Sequence, residues 1–188
     1  MSEVNIPRMP PRPDEDLDEA TLELVRMALQ PGAPPAENLA RTLAWFPGVM
    51  RRWLPYGGKF LKGGRLPVRT REIVILRVSV NTRSDYEWSQ HVPIGLEAGL
   101  SEDEIQALLP GGERDWPELD AAVIQAVDDL HDDSRISATT WRVLAGVLTP
   151  EQLVELPMLA GAYTNLAYFL NSFHVEVEEG LEGLPPDI

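Results

Sequence analysis

The chain has 188 residues, 44% of them hydrophobic, which is enough for one domain with a real core and does not demand two. Its formal net charge of -14 repels nucleic acid and anionic membranes, so an anionic ligand has to be held by local cations. With no cysteine at all, disulfides, thiolate metal sites and thiol peroxidase chemistry are excluded.

Residues 1–16 carry Pro7, Pro10, Pro11 and Pro13 among charges. That composition buries too little surface to order itself, so a flexible arm is expected ahead of a single domain over 17–188. Neither a basic start followed by an apolar run nor an apolar stretch near the roughly 18 residues of a membrane span is present, so the cytoplasm is the expected location. From Leu17 onward, Leu22, Leu24, Val25 and Ala28 recur with helical spacing until Pro31-Gly32. Short helices are predicted over Glu37 to Trp45 and over Pro47 to Leu61. Gly63-Gly64 and Pro67 then break the chain before Thr70, read as an N-cap.

The run Ile73 to Val80 has the β-branched content of a buried strand. Nothing else in the chain alternates with period two, and a single strand has no partner for its backbone groups, so a buried helix is predicted instead. Ser84 with Glu87, Ser101 with Glu104 and Thr149 with Gln152 each fit a capping box and mark three helix starts. Gly99 fits a helix stop after Ala98. Pro117 fits a first helical turn behind Asp115, and Pro150 fits the first helical position behind Thr149. The last helix is predicted from Pro150 through Phe173, with a kink at Pro157. The expected fold class is all-α, with seven to nine helices and a buried antiparallel helix pair that carries the site.

On a helix capped by Ser84, residues Ser84, Glu87 and His91 fall on one face, with Glu87 four residues before the imidazole. A carboxylate so placed can orient the ring and fix its tautomer, as a general acid or base requires. Glu72 lies on the preceding buried segment, and antiparallel packing through Thr82-Arg83 would bring it to the same pocket. Trp88 and the Ile73 to Val80 wall would exclude water there. Each residue also has a plainer role: Ser84 and Glu87 as a cap, His91 as a core histidine, Glu72 as a helix-start acid. Pro93 predicts a bend beside His91. Asp128, Asp129, His131, Asp132 and Asp133 read as a solvated turn rather than a cation site. His174, Glu176, Glu178 and Glu179 read as a subunit contact or solvated tail. Trp45, Phe46, Trp53, Tyr56 and Phe60 read as core or pocket wall.

The stretches Thr70-Arg-Glu-Ile-Val-Ile-Leu-Arg, Tyr86-Glu-Trp-Ser-Gln-His-Val and Ala98-Gly-Leu-Ser-Glu-Asp-Glu-Ile resemble the carboxymuconolactone decarboxylase family, which shares its fold with the AhpD alkylhydroperoxidases. The likeness continues through Trp116, Asp120-Ala-Ala and Ile136 to Tyr163 and Leu170-Asn171-Ser172. It implies an all-helical, AhpD-like domain that assembles into homo-oligomers, trimers or hexamers. The peroxidase branch of that family uses Cys-x-x-Cys-x-x-x-His with an upstream glutamate. Those positions fall on Ser84, Glu87, His91 and Glu72, and Tyr86 stands where some peroxidase members carry a second histidine.

With both thiols replaced, the resemblance points to the decarboxylase-type branch, acting on a small unsaturated carboxylic acid or lactone without cofactor or metal. The implied roles are His91 as acid/base, Glu87 orienting it, Glu72 as second proton carrier and Tyr86 as donor to a developing oxyanion. Arg83 or Arg77 would anchor the substrate carboxylate, with Ser84 and Trp88 at the binding site. The same residues would serve another cofactor-free proton transfer, such as isomerisation or hydration. An oligomer that binds a small molecule or a protein without turnover is the reading from a different class.

Overall fold

Every periodic segment of the chain folds as helix. A computed structural model describes residues 6–29 and 34–186, among which there are nine α-helices, one 3-10 turn and no strand. The helices are α1 (Glu19–Ala28), α2 (Glu37–Leu43), α3 (Pro47–Gly63), α4 (Val68–Thr82) and α5 (Asp85–Glu97), then α6 (Glu102–Ala107), α7 (Glu118–Asp133), α8 (Ala138–Val147) and α9 (Pro150–Phe173). The predicted stop at Pro31-Gly32 lies outside the described residues. None of the described helices is long and apolar enough to cross a membrane.

The ambiguous run Ile73 to Val80 is the middle of α4, and α4 is the centre of the fold, packing against α5, α7 and α9. Ile73, Val74, Ile75 and Leu76 are all fully buried, although successive side chains on a helix point in different directions. A helix surrounded on all sides has no polar stripe, which is why its sequence imitates a buried strand.

Thr70 is not an N-cap. The Pro67 carbonyl already accepts from the Arg71 N–H at 2.9 Å, so α4 begins at Val68 and Thr70 is buried inside it. Pro117 repeats the pattern: its carbonyl accepts from the Ala121 N–H at 2.9 Å, which makes it the cap of α7, one residue ahead of the first turn in which it was expected.

The boxes at Ser101-Glu104 and Thr149-Gln152 are complete, with both reciprocal bonds made. Gly99, at φ 90°, closes α5: the Leu100 N–H donates to the Gly95 carbonyl and the Gly99 N–H to that of Leu96, the Schellman arrangement. The Ser84-Glu87 box is only half formed. Ser84 accepts from the Glu87 N–H at 3.4 Å, but its own N–H is committed to the Ser79 carbonyl at 2.8 Å, where it helps to end α4. No free backbone donor is left at the cap for the Glu87 carboxyl to reach. The side chain is thereby released from capping.

Residues 6–16, the described part of the expected arm, lie along α2 and the end of α9 of the same chain. The Arg8 N–H donates to the Phe173 carbonyl (2.9 Å), Trp45 Nε1 to the Pro10 carbonyl (2.9 Å), and the Arg12 guanidinium stacks over the Trp45 ring.

Candidate active site

Two carboxyl groups of opposite character flank His91. Glu72, from α4, has no solvent exposure, and its Oε2 lies 2.7 Å from His91 Nδ1. Its other oxygen accepts from Arg71 Nε at 2.7 Å, and the same guanidinium also donates to the Leu61 carbonyl at 2.9 Å. Burial pushes the Glu72 carboxyl up, but the charge and hydrogen bond of His91 and those of Arg71 together outweigh it, and it stays below the usual carboxylate range. A carboxylate can only accept, so Nδ1 carries the proton towards it. Nε2, without a partner among the described residues, is left to the cavity that His91 lines.

Glu87 is the opposite case. It is 2% exposed, and neither carboxyl oxygen has a hydrogen-bond partner among the described residues. Burial drives its pKa well above the ordinary value, outweighing the lowering by the Ser84 hydroxyl, and so favours the neutral carboxylic acid. It lines the same cavity as His91.

The cavity has a volume of about 500 Å³. Ala40, Leu43, Trp53, Leu54, Ile94 and Leu166 are among its apolar walls, and its buried polar groups come from α5 and α9. A mainly apolar cleft of this size with a few convergent polar groups is the usual form of a small-molecule site. On the α9 side, Tyr163 meets the His91 ring edge-on, with centroids 5.1 Å apart and planes at 84°. Its hydroxyl has no protein partner among the described residues. Burial, with the nearby Glu72 and Glu87, pushes it well above the ordinary tyrosine range. It is a protonated donor waiting for an acceptor.

Of the residues singled out from sequence, Glu72, Tyr86, Glu87 and His91 come together, but two of the assigned roles change. The partner of His91 is Glu72 and not Glu87. Tyr86 lines the cavity, yet its O–H donates to Glu178 Oε1 at 2.7 Å and its oxygen accepts from the Leu39 N–H at 3.4 Å, so its proton is committed. Burial first, and then Glu178, push the Tyr86 phenol up.

Arg77, Arg83, Ser84 and Trp88 do not line the cavity. Five residues beyond Glu72, Arg77 is turned about 140° away from it around α4. It is held by Asp128 (2.6 and 2.9 Å) and the Leu108 carbonyl. Arg83 is exposed in the left-handed turn between α4 and α5, at φ 52°. Ser84 is buried as the cap of α5, and Trp88, one residue past Glu87, turns into the core against α4.

Sequence reasoning missed Tyr163, and it placed Glu178 in a solvated tail or subunit contact. Glu178 is in fact buried, where it accepts from both Tyr86 and the Asn38 N–H (2.7 Å) at the start of α2. The available signal for Tyr163 was its setting: no charged residue occurs from Leu156 to Phe173, and a phenol in such a segment needs a use for its hydroxyl. Among the described residues no group of three or more His, Asp or Glu side chains is arranged to hold a metal ion. Asp128 is taken by Arg77 and Asn81, and Asp129 by Ser137 and Thr140.

Residues 47–129 match the model of the Carboxymuconolactone decarboxylase family. No curated protein matches the sequence. Among solved structures, an alkylhydroperoxidase AhpD core, an uncharacterized peroxidase-related protein from Ralstonia eutropha JMP134, superposes with a TM-score of 0.74 at 16% identity, covering 91% of this chain and 93% of that one. The debrominase Bmp8 superposes with a TM-score of 0.74 at 12% identity, covering 91% and 92%. A protein of unknown function from Agrobacterium tumefaciens, described as a putative antioxidant defence protein AhpD, gives 0.66 at 17% identity, covering 72% and 94%. Over residues 47–129 the chain is thus similar to the carboxymuconolactone decarboxylase family, and it has the AhpD-like, all-helical fold.

Proposed function

We propose that this chain is a cofactor-independent acid/base enzyme, a decarboxylase acting on a small unsaturated carboxylic acid or lactone. The observation that carries the reading is the pair of carboxyls around His91: Glu72 bonded to both His91 and Arg71, and Glu87 buried with neither oxygen partnered among the described residues, settings that push the first below and the second above the ordinary carboxylate range. Environments that push two carboxyls apart in this way separate an orienting base from a proton donor. The family supports the reaction class. The debrominase and peroxidase-related neighbours share the fold, but this chain has no cysteine for thiol chemistry.

Loss of carbon dioxide leaves an electron pair, which the substrate delocalises onto its conjugated carbonyl oxygen. Tyr163 donates a hydrogen bond to that oxygen, and the neutral Glu87 delivers a proton to the carbon. His91, its Nδ1 fixed by Glu72, passes a proton from cavity water to restore Glu87. Overall one proton is taken up for each carbon dioxide released. The exposed Val154, Met158 and Tyr168 on α9, with Trp141 and Val147 on α8, support assembly into a homo-oligomer.

The reaction is tested by incubating the protein with a panel of conjugated carboxylic acids and lactone carboxylates in D2O, following carbon dioxide release and deuterium at the product carbon. The wild type should release carbon dioxide with deuterium incorporation, and His91→Gln should lose turnover while keeping ligand affinity. Binding with no turnover of any substrate by the wild type, or full activity in His91→Gln, overturns the proposal.

A further inference from the structure

Lys59 and Lys62 are the only lysines in the chain, and both line the cavity. Three residues apart on α3, they share a face of the helix, and both are exposed, which puts them at the cavity rim. Neither makes an ion pair among the described residues, although the chain has 30 acidic side chains against 16 basic ones. The arginines of the core behave otherwise: Arg69, Arg71 and Arg77 are each bound to a carboxylate. In a field that repels anions, two ammonium groups left unmatched beside an apolar cleft are the local cations an anionic ligand requires. The same wall includes Gly58, where an added Cβ would meet nothing within 4 Å, so the approach to the lysines is open. The opposite requirement, a ligand that completes the interior, is set by Glu87, which is buried, unpartnered and in the same cavity.

We propose that Lys59 and Lys62 bind a carboxylate that the ligand retains, and that the cavity takes an amphipathic carboxylic acid whose apolar body extends inward to His91 and Glu87. On the acid/base reading above, a substrate carries a second carboxyl at the inward end, and that is the one lost as carbon dioxide; the lysine anchor does not depend on that reading. The two ammonium groups fix which way round the ligand lies. They replace Arg77 and Arg83 as the anion-recognising side chains.

Calorimetric titration of the full chain with cinnamate, octanoate and the uncharged cinnamamide separates the possibilities. Cinnamate and octanoate should bind, cinnamamide at least tenfold more weakly than cinnamate, and the preference should shrink with added salt. The double variant Lys59→Gln/Lys62→Gln should lose at least tenfold in affinity for the acids and little for the amide, and Lys59→Arg/Lys62→Arg should restore the acids. Both positions are exposed, and unchanged thermal unfolding of the variants verifies the fold. Equal binding of cinnamate and cinnamamide, unaltered acid affinity in the Gln variant, or no binding of either acid overturns the anchor. His91→Gln should bind cinnamate like the wild type. Lysine-dependent binding together with no carbon dioxide release from any substrate keeps the anchor and removes the decarboxylase reading. Turnover that is indifferent to both lysines does the reverse.

Discussion

His91 Nδ1 lies 2.7 Å from Glu72 Oε2, on a neighbouring helix, and not against Glu87, one turn away on its own. The orienting group of the imidazole therefore has its own counter-cation in Arg71 and remains an anion. Glu72→Gln removes that charge and lets the ring choose either tautomer. Turnover should fall by about 10²–10⁴, the usual contribution of a positioned acid/base, with KM within a few-fold. Steady-state kinetics checks this, and loss of KM alone would reassign Glu72 to binding. The variant also changes acid stability. The folded-state pKa of Glu72 is depressed, so its contribution is fully present above the ordinary value of 4.5 and is lost as pH falls below it. Urea unfolding of the wild type should weaken below that pH more steeply than unfolding of Glu72→Gln.

Glu87 has the opposite linkage. Its folded-state pKa is raised, so the unfolded chain releases the proton first and stability falls as pH rises above 4.5. Glu87→Gln keeps the shape and removes the titration. Relative to the wild type, its stability should improve with rising pH, by at most about 1.4 kcal/mol per pH unit for one proton. Its turnover should drop, because an amide does not deliver a proton to carbon. Parallel wild-type and variant unfolding free energies between pH 5 and 8 would show that Glu87 is ionised in the folded chain.

Much of this site was legible in the sequence because its residues sit on adjoining elements with clear helical signals. Spacing alone placed Ser84, Glu87 and His91 on one helix, antiparallel packing through Thr82-Arg83 brought Glu72 towards them, and the resemblance matched it to the family's upstream glutamate. The pairing was not legible. Whether His91 turns to Glu87 or to Glu72 depends on how α5 lies on α4, and Gly95 allows a close approach there: a Cβ on it would stand 3.1 Å from Leu100 and 3.2 Å from Leu76. The half-formed cap at Ser84 was hidden for a related reason, since its N–H is consumed by the end of the previous helix. Tyr163 and Glu178 reach the site from segments more than 70 residues further along the chain, and no local pattern announces such a contact.

The two tyrosines of the site should separate cleanly. Tyr163 has an uncommitted hydroxyl, so Tyr163→Phe should lower turnover about 10–100-fold, in keeping with the loss of one oxyanion donor, while stability changes little. Tyr86→Phe breaks the bond to Glu178 and leaves a carboxylate with one fewer partner in a buried position. That should cost about 1–3 kcal/mol in unfolding free energy with turnover largely retained. Kinetics and denaturation of the same two proteins decide it. The reverse pattern would return the oxyanion role to Tyr86.

Arg69 tests whether the scaffold beneath the site can be weakened without touching its chemistry. From α4 its guanidinium makes paired bonds to Glu104 of α6 (2.8 and 3.0 Å) and one to Asp120 of α7 (3.0 Å), so one side chain ties three helices together. Arg69 foremost, against the opposing effect of burial, holds the Glu104 carboxyl down at about 2. Arg69→Met keeps the apolar stem and leaves two part-buried carboxylates facing each other with only Arg114 nearby, 3.2 Å from Glu104. The loss should be about 2–4 kcal/mol at neutral pH, less than for a fully buried pair because Arg69 is partly exposed. Glu104 has a depressed folded-state pKa, so its contribution is complete above 4.5 and disappears as pH falls towards 2. The destabilisation by Arg69→Met should therefore shrink across that interval, as protonation removes in the wild type what the substitution has already removed. Because Glu72 and His91 keep their own partners, the variant measured well below its unfolding temperature should retain wild-type kcat and KM. A fall in kcat at that temperature would mean that the α4–α6–α7 tie also sets the position of Glu72.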